Sequence, residues 1–380
     1  MRSALRILPA LVLLAAATVA HAAAQPVPPP PTLEAGSWVL VDNQSGQVLV
    51  GHRANEAVEP ASITKLMTAY AVFHALKEGK LKLDTEVPVS EHAWRSEGSR
   101  TYLDLNSRVP VEILIQGMIV QSGNDATIAL AEAVAGTEDT FAALMNQYAE
   151  RLGMAQSHFQ NATGLPGSNH KMSAADMAKL ARAIIREFPE YYRWYSQREF
   201  TWNKIRQENR NGLLDRDPSV DGMKTGMTDA AGYCLVSSAK RDGMRLIAVV
   251  TGTKSMKARE DASLALLNYG FNFYETRVLK KAAAELAVQR IYKAPGGHAA
   301  VGVAEDLAVT LPRGQADKVV YTMELAPKVF APLTKADRVG TLRAAIDGKV
   351  IAEVPLHPLA DVPRGNIFRR IWDTILSWFG

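Results

Sequence analysis

Cysteine is nearly missing: Cys234 is the single one in 380 residues. An internal disulfide is therefore excluded, and so is any Cys-x-x-Cys redox or metal motif. The setting "AGYCLVSSA" reads as a buried strand, in which a free thiol is inert packing. The 8 histidines are scattered, with no His-Glu-x-x-His, so no spacing points to a metal, and no cofactor motif occurs. Neither sign of charge dominates: 43 Lys+Arg against 39 Asp+Glu leave a net charge of +4. Without a basic block or a basic-aromatic stripe, nucleic-acid binding has no footprint. Membrane-spanning runs are missing too, since the apolar stretch "ILPALVLLAAATVA" has only 14 residues, too few to cross a bilayer. No Gly-x-Ser-x-Gly elbow exists for a Ser-His-Asp hydrolase.

That short apolar run has another reading. Arg2 and Arg6 precede it and "AHA" (Ala20 to Ala22) follows it, the layout of a cleaved export signal. Residues 1–24 are expected to be a signal peptide, with the mature chain starting between Ala23 and Gln25. The segment 25–32, within "QPVPPPPTL", is a proline-rich, extended spacer.

Composition is globular, with 47% hydrophobic and 22% charged residues. Trp38–Val41 and Gln47–Val50 flank a turn at Asn43–Gly46 and predict a hairpin. Helices are expected from about Ala61, over "PVEILIQGMIVQS", over "DATIALAEAVAG" with Asp125 as cap, over "TEDTFAALMNQYAERLGM", and after Ser173. Strands return with "EFTWNKI", Tyr233–Ala239 and Arg245–Thr251, the last two joined at Asp242-Gly243. A helix over "SMKAREDASLALLNYGFNFYE" follows. Strands at both ends of a helical middle predict an α+β fold, an antiparallel sheet whose first and last strands meet, with helices packed on it. This unit is expected over 33–280. Short runs separated by glycine and proline predict a small all-β domain over 281–362.

The tail 363–380 is expected to be an amphipathic helix. Ile367, Phe368, Ile371, Trp372, Ile375, Leu376 and Phe379 share one face; Arg369, Arg370, Asp373 and Ser377 share the other. That arrangement suits a helix lying in a membrane interface; docking on its own domain is the alternative.

Three short motifs occur in order: Ser62-x-x-Lys65, Ser122-Gly123-Asn124 and Lys224-Thr225-Gly226. Ser-x-x-Lys is cheap, expected about once by chance in such a chain. It occurs here three times, also at Ser168/Lys171 and Ser237/Lys240. The second copy lies in a loop, and the third ends a strand, where residues three apart face opposite sides. Only Ser62 and Lys65 stand at a helix head, on one face. They read either as nucleophile and base or as a helix cap followed by a solvated lysine. Lys-Thr-Gly is rarer, expected in about one chain in ten or twenty, and here it sits in "VDGMKTGMTDAAGYCLV", a strand opening onto a turn.

These motifs together, with "NRNGLL" before the third, the β-rich C-terminal part and the amphipathic tail, resemble the low-molecular-mass penicillin-binding proteins. These are D-alanyl-D-alanine carboxypeptidases of the class C type-5 subfamily, peptidase family S11. The resemblance implies a penicillin-binding, β-lactamase-like transpeptidase domain with a helical subdomain. It implies Ser62 as acyl-ester nucleophile and Lys65 as general base, the latter requiring a lysine pKa brought down from about 10.4. Ser122 would relay a proton, and Asn124 would hold Lys65 and a substrate amide. Lys224, Thr225 and Gly226 would receive the substrate carboxylate, and the N–H groups of Ser62 and Met227 would form an oxyanion hole. Arg259 aligns with a family arginine near that carboxylate, or is a helix-surface residue. Met227 stands where many relatives carry histidine. The implied substrate is the peptidoglycan pentapeptide, the implied inhibitors are β-lactams, and the implied location is the periplasmic face of the inner membrane, with the tail as peripheral anchor. A class A-like β-lactamase and a penicillin-recognising scaffold without turnover are the alternatives. Gly123, where the former class usually carries aspartate, weighs against the first.

Overall fold

A computed structural model describes residues 27–379; the expected signal peptide and the first two spacer residues lie outside that range. The chain opens with a hairpin, β1 (Ser37–Asp42) and β2 (Val48–His52). A 3₁₀ turn over Ala61–Thr64 leads into α1 (Lys65–Lys77). The helical middle holds α2 (Asn124–Ala135), α3 (Glu138–Arg151) and α4 (Ala174–Glu187). Three strands follow, β3 (Val220–Thr228), β4 (Gly232–Arg241) and β5 (Met244–Thr253), then α5 (Met256–Phe273).

The sheet order is β2-β1-β5-β4-β3. The first and last strands meet as expected, with Ser37 opposite Thr251 and Val39 opposite Val249. Alternation along β1 and β5 serves two cores, because both faces of the sheet are covered. Val39, Val41, Ile247 and Val249 face a large core shared with α1, α2 and α4. Trp38, Leu40, Leu246 and Val250 face a second core with Leu266 and Leu267 of α5. β3, which carries Lys-Thr-Gly, is one of the two edge strands of this sheet.

Two local expectations need correction. Asp125 is not the cap of α2: the helix begins at Asn124 after Gly123. The Asp125 carboxylate instead accepts from the Thr101 and Leu103 N–H groups at 2.7 and 3.1 Å, tying a loop to the helix head. The stretch before it is helical only over Val111–Gln116, then π-helical over Gly117–Gln121. Ser122 ends it in the left-handed region, at φ 67°.

α5 runs without a loop into β6 (Tyr274–Lys280). Beyond it come β7 (Ala287–Arg290), β8 (His298–Gly302), β9 (Leu307–Pro312), β10 (Val320–Leu325), β11 (Gly340–Ile346) and β12 (Lys349–Pro358). β6 pairs with β9, and the others form a sheet of order β7-β8-β12-β11-β10 with its own core around Ile291, Val301, Leu342 and Leu356. Polar contacts join the two parts: Thr276 Oγ1 donates to Asp42 Oδ2 at 2.7 Å, and Arg186 meets Glu305 at 2.8 Å.

The last helix, α6 (Ile367–Phe379), docks through its polar side. Asp373 is 1% exposed, and its Oδ2 accepts from Lys293 N at 2.6 Å and Arg369 Nε at 3.0 Å. Lys328 Nζ donates to the Ser377 carbonyl at 2.8 Å. Ile367, Phe368, Ile371, Trp372 and Trp378 face outward, Phe368 being 79% exposed. Among the described residues, no helix is long and apolar enough to cross a membrane.

Candidate active site

The site starts from a lysine that has no business in a core unless it is held. Every residue of α1 from Lys65 to Phe73 is buried, and Lys65 itself is 1% exposed. The reading of Ser62 and Lys65 as a cap and a solvated lysine therefore fails. No side chain caps this helix, and the ammonium position is enclosed. Lys65 Nζ lies 2.9 Å from Ser62 Oγ, 2.7 Å from Asn124 Oδ1 and 2.9 Å from the Thr163 carbonyl. Burial, and then the Arg210 guanidinium, bring its pKa down to about 7, against a weaker opposite pull from Asp125 and Glu138. A neutral amine has two N–H donors and one lone pair. With the two N–H groups on the Asn124 and Thr163 oxygens, which can only accept, the lone pair is left for the Ser62 hydroxyl.

Asn124 is oriented for this. Its Nδ2 donates to the Glu97 carbonyl at 2.5 Å, which turns Oδ1 toward Lys65 and leaves one amide hydrogen for a ligand. Ser122 is buried, and its Oγ has no hydrogen-bond partner among the described residues. Lys224, 2% exposed, donates from Nζ to the Thr225 carbonyl at 3.0 Å. Burial and the neighbouring Lys65, Arg210 and Arg259 hold its pKa well below the ordinary lysine range.

Lys-Thr-Gly ends in glycine for a packing reason. A Cβ on Gly226 would sit 3.0 Å from the Pro60 carbonyl and 3.2 Å from Ala61 Cβ, so a side chain here would press β3 away from the Ser62 turn. Met227 is at the rim, 52% exposed, directly across the β3–β4 pair from Tyr233. Arg259, in the first turn of α5, is 4% exposed and so is not a helix-surface residue. It reaches the Gly226 and Arg210 carbonyls at 3.4 and 3.3 Å, lies 5.7 Å from the Tyr233 ring centroid, and has no partner for Nε among the described residues.

Ser62, Ser122, Thr225, Gly226, Met227 and Arg259 line one cleft of about 210 Å³. Ser99, Arg210, Tyr233 and Met256 also line it, and sequence reasoning missed all four as site residues. Arg210 stood in the "NRNGLL" run but carried no assigned part. The other Ser-x-x-Lys copies are outside: Ser168 and Lys171 are exposed, while buried Ser237 donates to the Ala248 carbonyl and Lys240 is exposed. Cys234 is a buried strand residue whose thiol burial pushes up to about 11.

A serine bonded to a buried, readily neutral lysine, beside a second serine and a cationic strand edge, defines a serine acyl-transfer site on an α+β sheet. Residues 21–255 match the family described as D-alanyl-D-alanine carboxypeptidase, and residues 274–364 match the penicillin-binding protein 5 C-terminal domain. Two relatives are D-alanyl-D-alanine carboxypeptidases of Escherichia coli K12. DacC is 43% identical over 96% of this chain and 94% of its own length; DacA is 41% identical over 93% and 91%. The crystal structure of penicillin binding protein 5 from Haemophilus influenzae is 42% identical, with TM-score 0.83 over 88% of this chain and 99% of that one. Penicillin-binding protein D2 of Listeria monocytogenes, solved in its ampicillin-bound form, is 29% identical, with TM-score 0.59 over 64% of this chain and 100% of that one. The chain belongs to the D-alanyl-D-alanine carboxypeptidase family of penicillin-binding serine hydrolases.

Proposed function

We propose that the chain removes the terminal D-alanine from peptidoglycan pentapeptides through an acyl-enzyme on Ser62. The observation that carries this is the enclosed amine of Lys65 at 2.9 Å from Ser62 Oγ, with a pKa of about 7. The substrate's terminal carboxylate binds Lys224, Thr225 and Arg259, a charge-assisted contact at the edge of β3. Ser62 Oγ attacks the penultimate D-Ala carbonyl while its proton passes to Lys65 Nζ. The oxyanion is held by the N–H groups of Ser62 and Met227. As the C–N bond breaks, Ser122 hands the leaving amine its proton from Lys65, and D-alanine departs. Water, deprotonated by Lys65, then attacks the ester, and Lys65 returns that proton to Ser62 Oγ as the acyl C–O bond breaks. β-Lactams present the same carboxylate and carbonyl and acylate the same serine.

The test is D-alanine release from a D-Ala-D-Ala-terminated peptide by the purified protein. Release that disappears in Ser62→Ala supports the proposal; no release, or release unchanged in that variant, refutes it. Rapid penicillin turnover without peptide cleavage would instead mark a β-lactamase.

The proposal extends to location. Residues 1–24 act as export signal and 25–32 as spacer, and α6 rests on the periplasmic face of the inner membrane as a peripheral anchor. The outward row Ile367, Phe368, Ile371 and Trp372 supports it. The carboxypeptidase unit is proposed over 33–280 and the β-rich unit over 281–362; the pairing of β6 with β9 favours a junction nearer the end of α5.

A further inference from the structure

We propose that Asn161 is a positioning residue for Lys65, acting through a single peptide plane; the proposal rests on Lys65 being the proton acceptor of Ser62. Two of the three partners of Lys65 Nζ are side chains, whereas the third is the backbone carbonyl of Thr163 at 2.9 Å. That carbonyl belongs to a segment with no regular structure, so something must hold it.

The Thr163 carbonyl and the Gly164 N–H are opposite ends of one planar, trans peptide unit. Asn161 Oδ1 accepts from Gly164 N at 2.7 Å. Fixing the N–H end fixes the direction of the C=O end, and that end is on Lys65. The same oxygen also accepts from Thr163 N and Thr163 Oγ1, each at 3.2 Å. Asn161 Nδ2 donates to the Leu165 carbonyl at 2.9 Å, which sets the amide the right way round. The two preceding peptides are held as well, the nearer of them in part by Asn161 itself through Thr163 N. Glu138 Oε1 accepts from Ala162 N at 2.9 Å, and Thr68 Oγ1 donates to the Ala162 carbonyl at 2.6 Å. On the far side, His170 Nδ1 accepts from Gln160 N at 3.1 Å, so its Nε2 donates to Thr64 Oγ1 at 2.8 Å. The strip is thus clamped to α1 at its flanks, while the plane that touches Lys65 is set by Asn161. The groups facing Lys65 from all sides are Arg210, Asp125 and Glu138, together with the Lys224 ammonium.

Loss of the Asn161 acceptor frees the Thr163–Gly164 plane to turn and lets water reach Nζ. The experiment measures Ser62 acylation by a labelled penicillin as a function of pH, together with the thermal midpoint, in the full chain and in Asn161→Ala, Asn161→Asp and Lys65→Met. Asn161→Ala is expected to acylate roughly ten- to a hundredfold more slowly near neutrality, with its acid limb moved to higher pH as Lys65 becomes hydrated. Asn161→Asp keeps the accepting oxygen and recovers the acylation rate on the plateau above the acid limb, while its carboxylate holds that limb at higher pH; a plateau as low as in Asn161→Ala overturns the proposal. An acid limb unmoved, or moved to lower pH, in Asn161→Ala overturns the proposal even if the thermal midpoint falls. Should that variant not fold, Asn161→Gln, which carries the amide one methylene too far, is judged by the same criteria. Acylation surviving in Lys65→Met would instead sink the underlying reading of Lys65.

Discussion

Replacing Lys65 by methionine isolates the cost of keeping an amine neutral inside α1. Methionine retains the length and apolar stem and removes the titration. In the unfolded chain the lysine has a pKa of 10.5, and in the folded protein about 7. At about pH 7 the folded state therefore carries a penalty of about 4 kcal/mol for this group. Methionine removes that penalty but leaves the Asn124 and Thr163 oxygens without a donor, costing about 1–3 kcal/mol each. The two effects nearly offset near neutrality, so the diagnostic quantity is the slope with pH. Between about 7 and 10.5 the unfolded chain holds a proton that the folded protein lacks, so unfolding takes one up and wild-type stability rises with pH. Below about 7 both states are protonated and the penalty is constant. Lys65→Met lacks this dependence. Urea unfolding at about pH 7 and about pH 9 should show wild type gaining about 2 kcal/mol on the variant. Parallel behaviour of the two proteins would refute the claim that Lys65 is buried with a depressed pKa.

Other consequences are as specific. Gly164 has φ +85°, and a Cβ there would run into the Ala61 carbonyl; Gly164→Ala should lose about 2–4 kcal/mol in urea unfolding, and a neutral result contradicts the packing of that loop under the Ser62 turn. Arg259→Met removes a buried guanidinium from the cleft, so kcat/KM for peptides with a free C-terminal carboxylate should fall roughly ten- to a hundredfold while the same peptides with an amidated end are indifferent. Equal losses on both would place Arg259 outside carboxylate recognition. Deleting residues 365–380 should shift the protein from the membrane to the soluble fraction with peptide cleavage intact, whereas unchanged association would refute α6 as the anchor.

What was legible in the sequence was whatever a residue type announces. Ser62, Lys65, Ser122, Asn124 and Lys224 were found from short motifs, and the structure brings them to one place. The partner that completes the Lys65 site, the Thr163 carbonyl, has no signature because any residue offers a carbonyl. Arg210 was visible only as part of a likeness, since its influence on Lys65 and Lys224 comes from the return of the chain after the 199–208 hairpin. Periodicity put Asp373 and Ser377 opposite Ile371 and Trp372, as the structure has them, but grouped with them Arg370, which is exposed, and did not say which face meets the protein. The polar face does, because the Asp373 carboxylate finds the Lys293 N–H. The α5–β6 continuity was hidden for a related reason: no glycine or proline punctuates "NFYETRV", so a helix and a strand of different sheets read as one closing segment.

The central claim is that Ser62 is the acylated nucleophile. Mass spectrometry of the intact chain after penicillin, followed by peptide mapping, tests it most directly. One adduct per chain is expected, on the peptide containing Ser62, lost in Ser62→Ala and strongly slowed in Lys65→Met. An adduct on any other residue, or none on a folded protein, would contradict it.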